Sequence, residues 1–411
     1  MQYTQTNITN GTEGEPIMTT STNHSARGKQ PSADSVDRID CRLYEPPRHA
    51  GYESVRSFSP EDIRKRNRRS ALRLLYPRRL LSRADIAKLS GISKSSASDI
   101  VSALLEDGLI REECVKQKHG PGKPAVAFQL AADARQIIIV DLSNEHKLVG
   151  ALTNLVGDIQ QRLELHVEQI TTDDVLALVG RLRDTADAPL LGIGLSSPGI
   201  VDGQGTVHAA PNLGWHNVPL GDMVEDLYGI PTRVDNNANV AALGEWQFVD
   251  LTSNLAYIRL ARGVGAGTIV NGCIVEGSRF AAGEIGHVVV DEQGTMCRCG
   301  KRGCLETLTS VERLRARIEA DPSQRERIIT QAGASLGRVL SLMIAMNDID
   351  DVVIDGDHEI IDDLFLQSAQ FSINEHINEE LFGRISVRYP RLGNRSSIFG
   401  ECMATVGDHL R

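Results

Sequence analysis

The sequence predicts an α/β protein in two unlike parts: a small basic head, in which helices precede a β-hairpin, and a larger acidic body. Residues 61–125 hold fifteen Lys and Arg against eight Asp and Glu, a net charge near +7, whereas the rest of the chain carries −17. Two short amphipathic helix patterns separated by a glycine lie inside the basic stretch, and apolar α/β strand patterns begin at residue 137. The charge asymmetry indicates a binding head, although chance clustering on a solvated face would give the same count.

Length and composition limit the class of protein. A chain of 411 residues that is 41% hydrophobic and 24% charged has room for two or three globular domains with real cores. It contains neither a run of eighteen apolar residues nor the basic and apolar blocks of a secretory signal. We therefore expect a cytoplasmic protein that does not associate with membranes.

Changes in composition along the chain predict its domain boundaries. Residues 1–57 are rich in Ser, Thr, Asn, Gly and Pro and are expected to form a disordered tail. Residues 58–132 are expected to form the head, and residues 133–411 the α/β body. The strand candidates of the body are residues 137–142, 191–195, 256–260 and 352–355, which helix-length segments separate. No convincing internal repeat is visible.

The first helix of the head is expected to follow Ser59 and to continue to about residue 75. Ser59 suits the N-cap and Pro60 suits the first turn, where the missing amide hydrogen costs nothing. The expected core contacts of this basic helix include Ile63, Leu72 and Leu75.

Residues 82–105 have the pattern of a helix-turn-helix. A short helix with Ile86 and Leu89 turned inward is followed by Gly91, which permits a tight turn. Ser93 is expected to cap the second helix. The residues that this second helix is expected to bury are Ala97, Ile100, Val101 and Leu104. A generic helical hairpin would show the same pattern, so these residues alone leave both interpretations open.

Small polar side chains at the exposed start of the second helix suit contact with DNA. The residues are Lys94, Ser95, Ser96 and Ser98. A cation and short hydroxyl groups in this position are able to approach phosphates and base edges in a major groove.

The segment that follows predicts a wing. Strand patterns at residues 109–116 and 125–130 enclose a basic tip rich in Gly and Pro. Lys118, His119 and Lys123 in this tip are expected to lie against phosphates or in a minor groove. A wing directly after two such helices favours a DNA-binding domain over a generic hairpin.

A cluster of metal-binding side chains lies in the second half of the chain. Its members are His287, Cys297, Cys299 and Cys304. One imidazole and three thiolates complete a tetrahedral Zn²⁺ with no open position, which is typical of a structural site. Gly300 and Gly303 allow the backbone to wrap closely around an ion. Seven cysteines in a large intracellular chain do not suggest a disulfide framework, and the alternative to zinc is reduced thiols.

Motifs in both parts of the chain resemble those of the NagC/XylR-type regulators of the ROK family. The head has the family's Arg-x-x-Asn helix as Arg64-Lys-Arg-Asn67, its Ser-Arg-Ala-Asp-Ile-Ala segment at residues 82–87, and its wing motif as Gly122-Lys-Pro124, with Lys in place of the usual Arg. The body has Gly283-Glu-Ile-Gly-His287 before the cysteines and Leu305-Glu306 after them.

The resemblance implies a fold and a set of partners. The body is expected to have the two-lobed, actin-like ATPase fold of ROK sugar kinases, preceded by a winged helix-turn-helix. Arg64 and Arg83 are expected to contact DNA together with the residues of the second helix and the wing. A homodimer or homotetramer is expected, with a near-palindromic operator.

The resemblance also implies a sugar site between the two lobes. ROK kinases bind sugar through an Asn-Asp pair, the Glu and His of Glu-x-Gly-His, and the Glu of Gly-Cys-Leu-Glu. The corresponding or neighbouring positions here are Gly199, Asn212, Asn236, Asn237, Glu284, His287 and Glu306. Such amides and carboxylates pair with vicinal hydroxyls. His287 would hold zinc and sugar with one ring nitrogen each, which couples ligand occupancy to the zinc-binding loop, residues 287–304.

The phosphotransfer machinery of a ROK kinase is expected to be absent. Asn237 stands where the family has its catalytic Asp, and an amide cannot accept a proton at pH 7. Asp-Leu-Ser-Asn-Glu-His at residues 141–146 replaces the phosphate loop Asp-x-Gly-Gly-Thr, and Asp355-Gly356 replaces a later Gly-Gly. The glycines of residues 263–268 survive and are interpreted as a tight turn between strands.

These features favour a DNA-binding transcriptional regulator of carbohydrate metabolism genes, with repression the expected direction and no enzyme activity. Its expected partners are double-stranded operator DNA and a sugar or sugar-phosphate effector, which would close the lobes and shift the placement of the heads. One alternative is an active ATP-dependent sugar kinase with an added DNA-binding domain. Another is a regulator that answers to a protein partner.

Overall fold

Three helices and a two-stranded hairpin form the head. The computed structural model describes residues 59–76, 78–115, 125–248 and 254–409. The elements of the head are α1 (Pro60–Leu75), α2 (Arg83–Ser90), α3 (Lys94–Glu106), β1 (Ile110–Val115) and β2 (Ala125–Leu130). Most of the predicted inward residues are buried, but Ile63 and Leu89 are 41% and 48% exposed, so the prediction was wrong for both. Ile63 lies in the first turn of α1 and Leu89 in the last turn of α2, where each side chain faces solvent.

Local hydrogen bonds set the ends of the head helices. Ser82 and Asp85 form a capping box at the start of α2, and Gly91 ends that helix with φ at 72°. The Ser93 hydroxyl accepts from the backbone N–H of Ser96 at 3.1 Å, as the predicted N-cap of α3 requires. The turn between α2 and α3 is therefore set by Gly91 and by the Ser93 cap, while the capping box sets the start of α2.

The wing strands β1 and β2 pair antiparallel, from Ile110 opposite Leu130 to Val115 opposite Ala125. Leu81, just before α2, adds a bridge to Phe128 at the centre of β2. The wing tip, with Lys118, His119 and Lys123, lies outside the described residues, as does the predicted tail at residues 1–57.

The first lobe of the body is built on a five-stranded sheet. Its elements are β3 (Gln136–Asn144), β4 (Lys147–Asn154), β5 (Ile159–His166), α4 (Thr172–Arg183), β6 (Leu190–Ser197), β7 (Ile200–Val201), β8 (Val207–Ala210), β9 (Trp215–Val218), α5 (Leu220–Tyr228) and β10 (Thr232–Asn236). The sheet order is β10-β6-β3-β4-β5, in which β3, β4 and β5 form an antiparallel meander and β6 and β10 run parallel to β3. The short strands β7 to β9 form a separate small sheet.

The second lobe carries the other five-stranded sheet of the described residues. Its elements are α6 (Asn237–Phe248), β11 (Leu255–Leu260), β12 (Val264–Val270), β13 (Cys273–Ile274), α7 (Glu306–Thr309), α8 (Val311–Ala320), α9 (Arg325–Asn347), β14 (Asp351–Asp355), α10 (Asp363–His376), α11 (Glu379–Phe382) and β15 (Ser386–Arg388). The last helix, α12 (Ser396–His409), returns to the first lobe and packs on β3 and β6. The sheet order is β13-β12-β11-β14-β15. The four strand candidates named from the sequence correspond to β3, β6, β11 and β14.

The two sheets have the same topology. In each, three successive strands form an antiparallel meander, and the first strand of the meander then pairs in parallel with the next major strand along the chain. The lobes thus repeat one arrangement that is not visible as a repeat in the sequence, because pairing geometry constrains only the apolar pattern and not residue identity.

The helix α9 belongs to the core of the second lobe. The segment Pro322–Asn347 is long and apolar enough to cross a membrane by length and composition alone, but 61% of its apolar stretch is buried inside the protein. A Cβ at Gly333 or Gly337 would come within 2.5 Å of carbonyl oxygens of α10, so the two helices pack at close range. Such burial is typical of a core helix.

Helices α6 and α12 cross in direct backbone contact. A Cβ at Gly400 of α12 would lie 1.6 Å from the carbonyl oxygen of Val240 in α6, and one at Gly244 of α6 would lie 2.3 Å from that of Ser396. The buried carboxylate of Glu245 accepts from the backbone N–H of Leu392 at 2.8 Å and from the Ser396 hydroxyl at 3.1 Å. The two helices therefore have little freedom to slide independently.

The head and the body share one hydrophobic core. Buried residues of α1 and β2 belong to the same apolar cluster as residues of β3, β4, α6 and α12. Tyr76, 1% exposed, follows α1, and burial raises the pKa of its phenol, with Cys402 of α12 and Asp158 contributing. Arg78 forms an ion pair with Asp158, and the N–H of Leu155 donates to the carbonyl of Ala132 at 2.9 Å. The head is thus packed on the body through both apolar and polar contacts.

Candidate functional site

A polar cleft lies between the two lobes, and all seven residues predicted to bind sugar line it. They are Gly199, Asn212, Asn236, Asn237, Glu284, His287 and Glu306. The first four come from the ends of strands and adjoining segments of the first lobe and from the start of α6. Glu284 and His287 come from the segment between β13 and α7, and Glu306 is the first residue of α7. The structure therefore brings together side chains that are up to 107 positions apart in the sequence.

Asn236 has a positioning role in the wall of the cleft. Its amide Nδ2 donates to the carbonyl oxygen of Gly199 at 2.7 Å. Its Oδ1 accepts from the backbone N–H groups of Ala238 at 2.9 Å and Asn239 at 3.1 Å, which caps the start of α6. This side chain holds two walls of the cleft together.

Asn237 is 8% exposed and occupies the first position of α6. Its Nδ2 donates to the hydroxyl of Ser143 at 3.1 Å, and Ser143 in turn donates to the carboxylate of Asp141. Because the amide nitrogen is engaged with Ser143, the amide oxygen is the atom that can accept from a ligand hydroxyl. The side chain at this position is an amide, which donates and accepts hydrogen bonds but does not act as a base at pH 7.

The opposite wall carries two carboxylates beside an imidazole. Glu284 immediately precedes the short helix Ile285–His287, and burial raises the pKa of its carboxyl group, with the charge of Glu306 adding to the effect and His287 opposing it. A Cβ at Gly263 would lie 3.1 Å from Oε2 of Glu306. Gly263 thus leaves space for Glu306 at the turn between β11 and β12. Residues 264–268 belong to β12 itself, so the tight-turn interpretation of residues 263–268 was wrong for all of them except Gly263.

His287 and the three cysteines form one cluster. Their ligand atoms all lie within 4.8 Å of one another. The Nδ1 atom of His287 is 3.8 Å from Sγ of Cys297, and the sulfurs of Cys299 and Cys304 are 3.6 Å apart. Sulfurs bound tetrahedrally at the Zn–S distance of about 2.3 Å would be about 3.8 Å apart, so the spacing fits a metal. The donor set and its geometry are compatible with a structural zinc site.

The backbone of this loop is folded tightly by its glycines. Gly300 and Gly303 have φ of 85° and 73°, and a Cβ at Gly303 would lie 1.5 Å from the carbonyl oxygen of Asp291. Burial raises the pKa of the Cys304 thiol to about 12, whereas a backbone N–H of Lys301 lowers that of Cys299. The loop is preformed around its four ligand residues.

The predicted DNA-contacting residues of α3 are accessible. Lys94 and Ser95 are exposed, while Ser96 and Ser98 are partly exposed. Arg64 is exposed on α1. Arg83 is half-buried, with its guanidinium 4.5 Å from the ring centroid of Phe128, so it also braces α2 against the wing.

Three further polar residues line the cleft that were not predicted from the sequence to bind sugar: Ser143, Arg259 and Arg298. Arg259 donates to the hydroxyl of Ser397 at 3.0 Å and lies 3.9 Å from Asp355. Arg298 is placed in the cleft wall by the cysteines on either side of it. Two sequence features could have indicated them. Arg298 lies between two residues of the predicted metal site, and Arg259 lies near the end of a predicted strand.

Fold and site together define a class: a two-lobed α/β protein with a polar cleft and an adjoining zinc-type cluster, preceded by a winged helix-turn-helix. The model of the ROK family matches residues 140–405. The chain therefore belongs to the ROK family. Over 390 residues it is 30% identical to a putative xylose repressor of Caldicellulosiruptor sp. (strain Rt8B.4), a match that covers 85% of this chain and 97% of the relative.

Solved structures of relatives support the same fold. The crystal structure of a ROK family transcriptional regulator, described as a homologue of the E. coli MLC protein, has a TM-score of 0.74 and 25% identity, covering 85% of this chain and 98% of that one. A ROK family glucokinase from Streptomyces griseus, in complex with glucose and AMPPNP, has a TM-score of 0.57 and 23% identity over 65% of this chain and 98% of that one. The second likeness concerns the fold of the body alone.

Proposed function

We propose that this protein is a sugar-responsive DNA-binding transcriptional regulator of carbohydrate metabolism genes, and that its direction of control is repression. One observation carries the proposal: the seven residues predicted to bind sugar, six of them with polar side chains, line one cleft in a chain that also has an accessible helix-turn-helix and an amide at position 237. The relatives named as a repressor and a transcriptional regulator match the head as well as the body, since each match covers 85% of the chain.

The proposed ligands follow from these groups. Double-stranded operator DNA binds to the three helices of the head and the wing, through Arg64, Arg83, Lys94, Ser95, Ser96, Ser98, Lys118 and Lys123. A sugar or sugar phosphate binds in the cleft, and one Zn²⁺ is held by His287 and the three cysteines. The zinc supplies structural cross-linking of the loop, which keeps His287 and Glu306 in place for the sugar. We also propose a cytoplasmic homodimer or homotetramer, with residues 58–132 as the DNA-binding domain, residues 133–411 as the sugar-binding domain and no phosphotransferase activity.

A physical path from the cleft to the head supports the sugar response. Asn237 begins α6, and α6 is fixed to α12 at the crossing of Gly244 and Gly400. The other end of this path is the shared core, where Cys402 of α12 lies near Tyr76 of the head. A change in lobe angle on sugar binding would therefore move the surface on which the head rests.

The proposal is tested by electrophoretic mobility shifts on the DNA upstream of the protein's own gene. We expect a specific complex whose affinity changes with at least one member of a panel of pentoses, hexoses, N-acetylhexosamines and their phosphates. The absence of a specific complex at every sugar concentration would contradict the proposal. Calorimetry with the same panel separates a sugar sensor from a regulator with a protein effector, because only the sensor releases or takes up heat with a sugar.

Lys94→Ala is expected to weaken operator binding roughly 5- to 100-fold, as loss of one contact to a base edge or phosphate does. Lys147→Ala is the matched control. It removes the same charge at the start of β4, which lies away from the head. The head is contacted at the other end of this strand, where the N–H of Leu155 donates to the carbonyl of Ala132. Equal loss of affinity in both variants would show that net charge, and not the position of Lys94, governs binding.

Asn237→Asp is expected to show no sugar-dependent release of ADP above background. The substitution restores a carboxylate, but residues 141–146, which form the end of β3 and the turn after it, still carry acidic side chains in place of a glycine phosphate loop. A coupled ADP-release assay over hexoses and N-acetylhexosamines checks this, with wild type as the reference. Turnover by the variant would refute our account of the phosphate loop.

A further inference from the structure

An ionic bridge crosses the mouth of the cleft. Glu145, in the turn between β3 and β4 of the first lobe, forms an ion pair with Arg262, in the turn between β11 and β12 of the second lobe. The Nε atom of Arg262 lies 3.4 Å from Oε2 of Glu312, at the start of α8. The same oxygen accepts from Arg298 at 2.5 Å. The four side chains thus form a continuous line of alternating charge.

This line of charges joins three parts of the body: the first lobe, the second lobe and the metal loop. Glu145 belongs to the turn that replaces a glycine phosphate loop, and Arg262 belongs to the glycine-containing turn opposite. Arg298 lies between the ligand residues Cys297 and Cys299 and lines the cleft. In ROK kinases, which this chain resembles, the two corresponding turns bind nucleotide phosphates. Here the carboxylate of Glu145 pairs with the guanidinium of Arg262 between them.

Burial makes the central pair stronger than an ordinary surface contact. The Glu145 side chain is 24% exposed and that of Arg262 is 40% exposed, whereas Glu312 is 52% exposed. Partly desolvated pairs are screened less by salt than exposed pairs, and members of a network restrain one another. His146, the neighbour of Glu145, is a more distant contact, with Nε2 of the imidazole 3.9 Å from Oε1 of Glu145.

We propose that Glu145, Arg262, Glu312 and Arg298 form an ionic clasp that holds the two lobes together without nucleotide and ties the metal loop to the first lobe. Glu145 acts in it as a tethered anion in the place of a phosphate. The clasp stabilises the closed cleft before sugar binds. Sugar binding therefore has to supply less of the free energy needed to close the lobes. Only this last consequence rests on the proposed function; the clasp itself does not.

The test is hydrogen–deuterium exchange on the full-length protein without sugar or DNA. Glu145→Gln and Arg262→Gln are each expected to accelerate exchange roughly three- to five-fold in the peptides that contain residues 142–148 and 297–303. The double variant should exchange no faster than Arg262→Gln alone, because that substitution already removes the pair with Glu145. Salt between 0.05 and 0.5 M should accelerate wild type and leave the variants unchanged, with these concentrations chosen to span roughly a threefold change in Debye length.

Arg315→Gln is the control for loss of a surface arginine, since Arg315 and Asp357 form a more exposed ion pair, at 45% and 38%, within the second lobe. It should leave exchange at residues 142–148 unchanged. Circular dichroism and thermal unfolding verify that every variant folds. Unchanged exchange in both single variants, or additive acceleration in the double variant, would overturn the clasp. Because neither sugar nor DNA is present, that outcome is distinct from a failure of the mobility shifts that test the proposed function.

Discussion

Cys304→Ser is expected to abolish stoichiometric zinc binding and, with it, sugar binding. Cys304 is fully buried and its sulfur is 3.6 Å from that of Cys299, so a serine hydroxyl there replaces a thiolate ligand with a poor one. Glu306 lies two residues further along and His287 shares the cluster, so loss of the ion releases two of the cleft's polar groups. We expect bound zinc to fall from about one ion per chain to near zero. Sugar affinity should fall by roughly 100-fold or more, because the hydrogen bonds of His287 and Glu306 to the sugar would be lost.

Elemental analysis of dialysed protein and calorimetry with the responsive sugar measure the two effects. Cys273→Ser is the matched control, because Cys273 is a free thiol of β13 outside the cluster. It should retain both zinc and sugar affinity. Full zinc content in Cys304→Ser would show that the cluster is not the metal site.

Gly400→Ala is expected to lower stability by about 3 kcal/mol or more, at the upper end of what overpacking usually costs. The added methyl group would lie 1.6 Å from the carbonyl oxygen of Val240, a backbone atom that cannot turn aside. Helices α6 and α12 must separate to admit it. We expect the midpoint of thermal unfolding to fall by roughly 5 °C or more. If folded protein is recovered, sugar should have lost its effect on operator affinity.

Gly203→Ala provides the comparison for this variant. A Cβ at Gly203 meets its nearest atoms, in the ring of Phe280, at 3.9 Å, which is ordinary contact. Urea and thermal unfolding of the two variants separate the effect of the helix crossing from that of replacing any glycine. If Gly400→Ala unfolded at the same temperature as Gly203→Ala, the crossing would not be as tight as described.

Much of the fold could be predicted from periodicity and local signals. Capping residues and a glycine placed the turn between α2 and α3, and apolar runs located β3, β6, β11 and β14. The failures at Ile63 and Leu89 have a physical cause: an apolar residue in a terminal turn does not have to reach the core. The repeated topology of the two lobes was invisible, because strand pairing leaves no residue-level signature.

The candidate site divides in the same way. Its polar residues were found through motif resemblance, and all seven lie in one cleft. The roles of Asn236 and Ser143 were not readable from sequence, because they depend on hydrogen bonds between segments far apart in the chain. Arg262 and Glu145 looked like unrelated charges in two turns, and only the folded arrangement of the lobes brings them together.

The core shared by head and body has a consequence for modularity. Tyr76 of the head and Cys402 of the body lie in one buried cluster, so separating the two parts would expose apolar surface on both. A regulator with altered target preference is therefore better made by changing the accessible positions of α3 than by exchanging the whole head. A transplanted head would have to bring complementary surfaces for α12 and β4. For the same reason, natural recombination of heads and bodies in such chains is constrained by packing, and not only by the DNA sequence to be read.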